Sequence, residues 1–324
     1  MPTSAHLATW TGPEIFQECR TAYGAYAKAK TESYRAYFAA HGELKDEHHP
    51  YKARDLAAAL PEDWAGLEQY LPVAERHRHH LSGNSSQVLA LGLLGVAARL
   101  DPQLSWLWEG LSSERPLPPS AATSVPTCGF EHKLDAALLN EQPRQTSIDF
   151  FVSAPDVLFC IECKWVEAGI GECSCPAPGP LTGGCAERVL QREAYWKTVY
   201  EIFHLPERRQ GRACPLSFCY QAVRNVAAAL ALANDGQQPV FGLIYDAENP
   251  YFAGCGDWLG WPAALAATLD PDESPVRFAS ASWQELLEVL PLDAAAAVWA
   301  SEKHGLHKSG PEEDSAVGAG PSYL

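Results

Sequence analysis

The stretch TSIDFFVSAPDVLFCIECKW, residues 146–165, constrains the fold more than any other part of this 324-residue chain. Residues 146–152 are rich in β-formers and stop before Ser-Ala-Pro-Asp, a run of turn residues. Residues 157–165 are apolar apart from two charges, the pattern of a strand covered on both faces. The two segments therefore read as adjacent strands. An acid and a lysine inside such a strand are costly to bury unless they pair or bind a metal. Glu162 and Lys164 stand at i and i+2, so they share one face, roughly 7 Å apart along the strand. Asp149 can join them from the neighbouring strand, while Cys163 faces the opposite layer. Two carboxylates and an ammonium at one spot suit divalent-metal binding and the activation of a water, the chemistry of phosphodiester hydrolysis. A buried ion pair bracing the sheet is the structural alternative.

Glu-x-Lys occurs twice more. Glu43-Leu44-Lys45 lies in a polar stretch with Asp46, Glu47, His48 and His49 and reads as a solvated face. Glu131-His132-Lys133 falls on an expected strand, 128–134, with no suitable acid on a strand just before it. Only Glu162 has both the apolar strand and an upstream aspartate at hairpin distance.

The Asp149…Glu162-x-Lys164 arrangement resembles the PD-(D/E)XK nuclease superfamily, the restriction-endonuclease-like fold, with its Asp on the second core strand and Glu-x-Lys on the third. Further segments resemble one bacterial restriction-endonuclease-like branch. Ser85-Ser86-Gln87 opens the apolar stretch 88–100 like the helix before the catalytic sheet, and Phe130-Glu131 is similar to the first strand. Tyr220-Gln221-Ala222-Val223-Arg224-Asn225 resembles a later helix and 240–245 a closing strand. The resemblance covers roughly residues 75–250. Trp165 departs from it, since a smaller aromatic is usual there, and 173–185 has no counterpart.

The resemblance implies an α/β fold, a mixed central sheet flanked by helices, and a Mg-dependent deoxyribonuclease. Asp149 and Glu162 would hold Mg²⁺ or Mn²⁺ with a backbone carbonyl near Cys163, and Lys164 would orient or deprotonate the attacking water. Gln87 would reach the same cluster where many relatives place a glutamate. Gln221 and Arg224 would serve the phosphate, an ion pair with a sheet acid being the alternative for Arg224. Gln191 and Tyr195 resemble a motif of the RecB-like branch and are read as substrate contacts, with core packing the alternative for Tyr195. A catalytically inactive member of the fold, acting as a nucleic-acid or protein interaction module, is the rival reading; the intact Asp149/Glu162/Lys164 set favours the enzyme.

A net charge of -16 argues against a non-specific nucleic-acid coat, because polyanions want positive surface. Local basic clusters remain: Arg76 and Arg78 with His77, His79 and His80, and later Arg208, Arg209 and Arg212. They suit a protein that meets DNA through one restricted cleft, and DNA is the expected partner; self-association stays open. No apolar run reaches the roughly 18 residues that span a bilayer, and the N-terminus lacks the basic and apolar regions of a signal peptide. A cytoplasmic location is expected, hence free thiols rather than disulfides. Cys173, Cys175 and Cys185, in a Pro/Gly-rich loop, could join Cys214 in a four-thiolate site for zinc or an iron–sulfur cluster, although the spacing lacks a C-x-x-C pair.

Along the chain, residues 1–72 read as a helical N-terminal extension with a long helix at 14–40, and 73–250 as the nuclease-like core. Within the core, helices are expected at 186–204 and 217–233 and a strand at 240–246, where Asp246 and Glu248 form a weak second acidic candidate. Residues 251–307 read as a mainly helical C-terminal extension and 308–324 as a disordered tail.

Overall fold

The computed structural model describes residues 16–41, 51–62, 64, 66–76, 79–113, 116–117, 124–141, 145–171, 193–204, 216–269 and 272–308. Its centre is a five-stranded sheet in the order β1 (Thr127–Lys133), β2 (Ser147–Ala154), β3 (Val157–Cys163), β4 (Gln238–Tyr245), β5 (Arg277–Ser282). The first three strands are antiparallel neighbours, and β3, β4 and β5 run parallel. The sheet is therefore mixed, as expected. Short links allow the antiparallel pairs, whereas a parallel neighbour needs a crossover long enough to carry helices. The chain supplies them: α3 (Glu193–Lys197, running into a π-turn at Thr198–Ile202) and α4 (Leu216–Leu232) between β3 and β4, and α5 (Trp261–Thr268) between β4 and β5. The stretch expected to be mainly helical thus also contributes an edge strand. Its sequence, RFASAS, is short and made of small residues, with no run long enough to announce a strand.

Side chains alternate across the sheet into two cores. Phe150, Val152, Phe159, Ile161, Cys163 and Trp165 enter one, against α2 (Ser86–Leu100), α6 (Trp283–Val289) and α7 (Ala294–His304). Leu158, Cys160, Phe241 and Leu243 enter the other, against α3, α4 and α5. Cys163 thus points away from Glu162 and Lys164. The Ser85 hydroxyl caps α2 by accepting from the Val88 N–H at 3.3 Å, so Gln87 lies in the first turn.

Helix α1 (Gln17–His41) buries Tyr26, Lys30, Tyr34, Tyr37 and Phe38, a stripe at helical spacing. It packs along α7 and reaches the segments just beyond β3 and β4. The Tyr23 hydroxyl donates to the Val166 carbonyl (2.5 Å) and the Tyr26 hydroxyl to the Trp165 carbonyl (2.8 Å), so α1 grips the backbone just beyond Lys164. No helix among the described residues is long and apolar enough to cross a membrane.

Candidate active site

The β2–β3 register, with Phe150 opposite Ile161, brings Asp149 across from Glu162. Glu162 is 1 % exposed and its Oε1 lies 2.7 Å from the Lys164 Nζ, so the two charges do share a face. The Lys164 backbone is pinned from both sides: its N–H donates to Ile244 O on β4, and its carbonyl accepts from Trp283 Nε1 at 2.9 Å. The Lys164 ammonium also donates to Gln221 Oε1 (3.0 Å), and Asn225 Nδ2 donates to Glu162 Oε2 (2.5 Å). Gln221 and Asn225, one turn apart on α4, therefore hold the two ends of the ion pair. Asp149 Oδ2 accepts from the Cys163 N–H at 2.8 Å.

A third carboxylate sits in the row. The β1–β2 pairing, Phe130 with Phe150 and His132 with Ile148, sets Glu131 beside Asp149. Glu131 adopts φ +48°, a left-handed conformation costing a non-glycine residue about 1–3 kcal/mol. It is held there by Gln87 Nε2 donating to its Oε1 and Ser147 Oγ donating to its Oε2, both at 2.6 Å. Gln87 thus enters the cluster through Glu131. Sequence reasoning set Glu131 aside for want of an upstream acid, and left Asn225 without a role. Register, which brings Glu131 to Asp149 from the far side, was the missing information; helical i, i+4 spacing from Gln221 was the available signal for Asn225.

Desolvation, then the charges of Glu162 and Glu131, push the Asp149 carboxyl well above the usual carboxylate range, against the opposing help of Lys164 and the Cys163 N–H. Burial works against the Lys164 ammonium, but Glu162, Glu167 and Asp149 outweigh it and raise its pKa above the ordinary lysine value. Lys164 is therefore a fixed ammonium at neutral pH, suited to orienting a water or an anionic oxygen rather than to taking a proton.

The raised Asp149 pKa gives a pH signature. The folded state holds this proton more tightly than the unfolded chain, so its stabilising contribution is complete below the ordinary aspartate value of 3.8 and is lost as pH rises through the folded value. In metal-free buffer, Asp149→Asn is expected to raise the melting temperature near neutral pH, with the gain shrinking towards pH 4. A difference between variant and parent that does not change with pH would refute the carboxylate crowding.

The segment beyond β3 is shaped by α4. Cys219 departs from helical geometry (φ −129°, ψ 30°), and the next two amides turn to the loop: Tyr220 N–H donates to Gly171 O and Gln221 N–H to Ile170 O. Gly171 has φ +76°, and a Cβ there would lie 2.3 Å from Gln221 Oε1. Glycine is required on both counts. Between this loop, α1 and α5 lies a cleft of about 310 Å³ whose lining includes Arg20, Lys164, Glu167, Gln221, Tyr251 and Trp261.

The remaining expected site residues divide. Arg224 is half-buried and donates to the Ser147 carbonyl at 3.4 Å rather than pairing with an acid on the sheet; its Nε has no hydrogen-bond partner among the described residues. Arg76 donates to the Leu71 carbonyl (3.0 Å), beside Glu75, whose carboxylate meets Lys133. Tyr195 is corrected to a core residue: it is 1 % exposed, its hydroxyl donates to Glu141, and the same carboxylate takes the Thr146 amide and hydroxyl. Such a ring offers no face to a base. Asp246 and Glu248 do not form a second acidic site, because both are ion-paired to Lys30, at 2.9 and 2.8 Å. Arg78, Gln191, Cys173, Cys175, Cys185 and Cys214 lie outside the described residues. Among the described residues no group of three or more His, Cys, Asp or Glu side chains is arranged to hold a metal; Asp149 and Glu162 remain as a pair.

A mixed sheet flanked by helices, with Glu162 and Lys164 at the carboxyl end of β3 and Asp149 on its antiparallel neighbour, is the architecture of a restriction-endonuclease-like protein. The family model described as restriction endonuclease associating with ARP matches residues 25–303, and the chain belongs to that family. Neither the curated proteins nor the solved structures searched gave a match.

Proposed function

We propose that the protein is a metal-dependent DNA endonuclease of the restriction or defence type, working through a PD-(D/E)XK site made by Asp149, Glu162 and Lys164. The observation that carries this reading is the meeting of Asp149, Glu131 and the Glu162–Lys164 pair across β1, β2 and β3, three carboxylates whose charges crowd Asp149. The same field attracts a divalent cation. Magnesium takes one or two carboxylates and keeps several waters, so Asp149 and Glu162, with a backbone carbonyl near Cys163, fit it without a third acidic ligand. Bound there, the ion would polarise the scissile phosphate and acidify a water.

The chain's own residues do the positioning. Gln221 and Glu162 fix the Lys164 ammonium between them, where it can orient the attacking water and stabilise charge on a phosphate oxygen. Asn225 holds Glu162, while Gln87 and Ser147 hold Glu131 beside Asp149. Arg224, with one guanidinium nitrogen unpartnered among the described residues, is our candidate for the phosphate side, and Arg76, Arg78 and Gln191 are further candidates for DNA contact. The family's description names an association with ARP, which we carry to this chain as part of the proposal.

The test is incubation with supercoiled plasmid, linear duplex and single-stranded DNA in Mg²⁺ or Mn²⁺, with EDTA as control. Cleavage of at least one form, abolished by EDTA, is expected. No cleavage of any form with either metal, or cleavage indifferent to EDTA, would overturn the proposal.

A further inference from the structure

We infer that Cys19 and Cys255 form a redox modification site, at which hydrogen peroxide joins the two thiols in a reversible disulfide that clamps the start of α1. The inference stands apart from the nuclease reading, since neither residue belongs to the acid–lysine cluster. The two cysteines are 236 residues apart in the chain, yet the Cys19 Sγ lies 3.9 Å from the Cys255 carbonyl oxygen. The Cys19 thiol also interacts with the Cys255 thiol, and both are free.

Each thiol sits on an element that is fixed before any bond forms. Cys19 lies in the first turn of α1. Cys255 opens a tight hairpin, where it and Trp258 exchange backbone hydrogen bonds of 2.8 and 3.1 Å. Trp258 is held in turn, its Nε1 donating to the Tyr251 carbonyl at 2.8 Å. The residues near Cys19 dock on this hairpin. Phe16 meets the Trp258 ring edge to face, 5.1 Å between centroids. The Glu18 carboxylate lies so near Gly256 that a Cβ there would meet its Oε2 at 2.1 Å.

The two thiols differ in access. Cys19 is inaccessible to solvent, and burial, then the Cys255 thiol, pushes its pKa up to about 11. Cys255 is half-buried, so it meets the oxidant first. Its thiolate attacks one peroxide oxygen, giving a sulfenic acid and releasing the other oxygen as water. The Cys19 sulfur then attacks the Cys255 sulfur, gives up its proton and expels the hydroxyl as a second water. Two thiols lose two electrons and two protons, and one hydrogen peroxide becomes two waters. A dithiol reductant reverses the bond by thiol–disulfide exchange. Such a bond closes a long loop, and its constraint on the unfolded chain grows with loop length. It also secures the helix whose Tyr23 and Tyr26 hold the carbonyls of Val166 and Trp165, just beyond Lys164.

The experiment treats the reduced full-length chain with hydrogen peroxide. One portion is alkylated with iodoacetamide, digested without reductant and mapped by mass spectrometry; another is melted. A peptide pair linked through Cys19 and Cys255 is expected, with a melting temperature about 5 °C or more above that of the reduced chain. Dithiothreitol should return both to the starting state. Cys255→Ser and Cys19→Ala should each lose the linked pair and the rise in melting temperature. Cys255→Ser, at the half-buried position, carries the comparison should the buried Cys19→Ala fail to fold. Both cysteines recovered alkylated, either one linked to another cysteine, or Cys255 as a sulfinic acid beside an alkylated Cys19 would each overturn the inference. So would a linked pair without a rise in melting temperature, or a rise that survives in Cys255→Ser.

Discussion

Glu162→Gln is expected to lower metal-dependent DNA cleavage by about three powers of ten or more while the protein stays folded. Lewis-acid stabilisation is worth several kcal/mol, and each 1.36 kcal/mol is about tenfold in rate. Glutamine keeps the length of the side chain and one acceptor, so a bond from Asn225 or Lys164 survives. Two electrostatic changes oppose each other: Lys164 loses its nearest partner, and Asp149 loses the neighbouring charge that crowds it most. The melting temperature should therefore move little. Cleavage rate and thermal melting measured on one preparation separate the cases. Undiminished cleavage would place the chemistry elsewhere, and lost cleavage with lost folding would make Glu162 structural.

The largest effect on stability is expected at Lys30→Met, a loss of about 3–5 kcal/mol in the free energy of unfolding. Lys30 is nearly fully buried, and its ammonium joins Asp246 Oδ2, Glu248 Oε2 and the Gly305 carbonyl within 2.8–3.1 Å. Asp246 is inaccessible to solvent and also accepts from Tyr26, Gln284 and the Glu248 amide. Removing the lysine leaves that carboxylate buried without a cation, which costs more than the pair contributes. The exposed pair Lys28–Glu32, 3.9 Å apart on the same helix, is the contrast, and Lys28→Met should change stability by less than about 0.5 kcal/mol. Denaturant unfolding checks both. Asp246→Asn added to Lys30→Met should recover part of the loss; no recovery would mean that the packing of α1, not the stranded charge, is what the lysine supports. Because Tyr23 and Tyr26 of α1 hold the carbonyls of Val166 and Trp165, loosening this helix should also blunt the cleavage that depends on Lys164.

The chain announced whatever depends on near neighbours. Alternation placed Glu162 and Lys164 on one face and Cys163 on the other, because successive strand side chains point oppositely whatever the strand packs against. The start of α2 was legible for the same reason, as a cap is a contact between residues three apart. Nothing local, however, encodes which strands lie side by side or in what register. Glu131 became a third carboxylate only when β1 paired with β2, and Asn225 met Glu162 only when the crossover laid α4 over β3. Tyr195 and Asp246 read as site chemistry and proved to be interior bonds, since their partners, Glu141 and Lys30, lie 54 and 216 residues away along the chain. The sequence by itself determined four of the five strands, the start of α2 and the acid–lysine pair, which are set by periodicity and capping. Which other charges gather around that pair was decided by tertiary structure alone, because electrostatic energy depends on distance in space and not on separation along the chain.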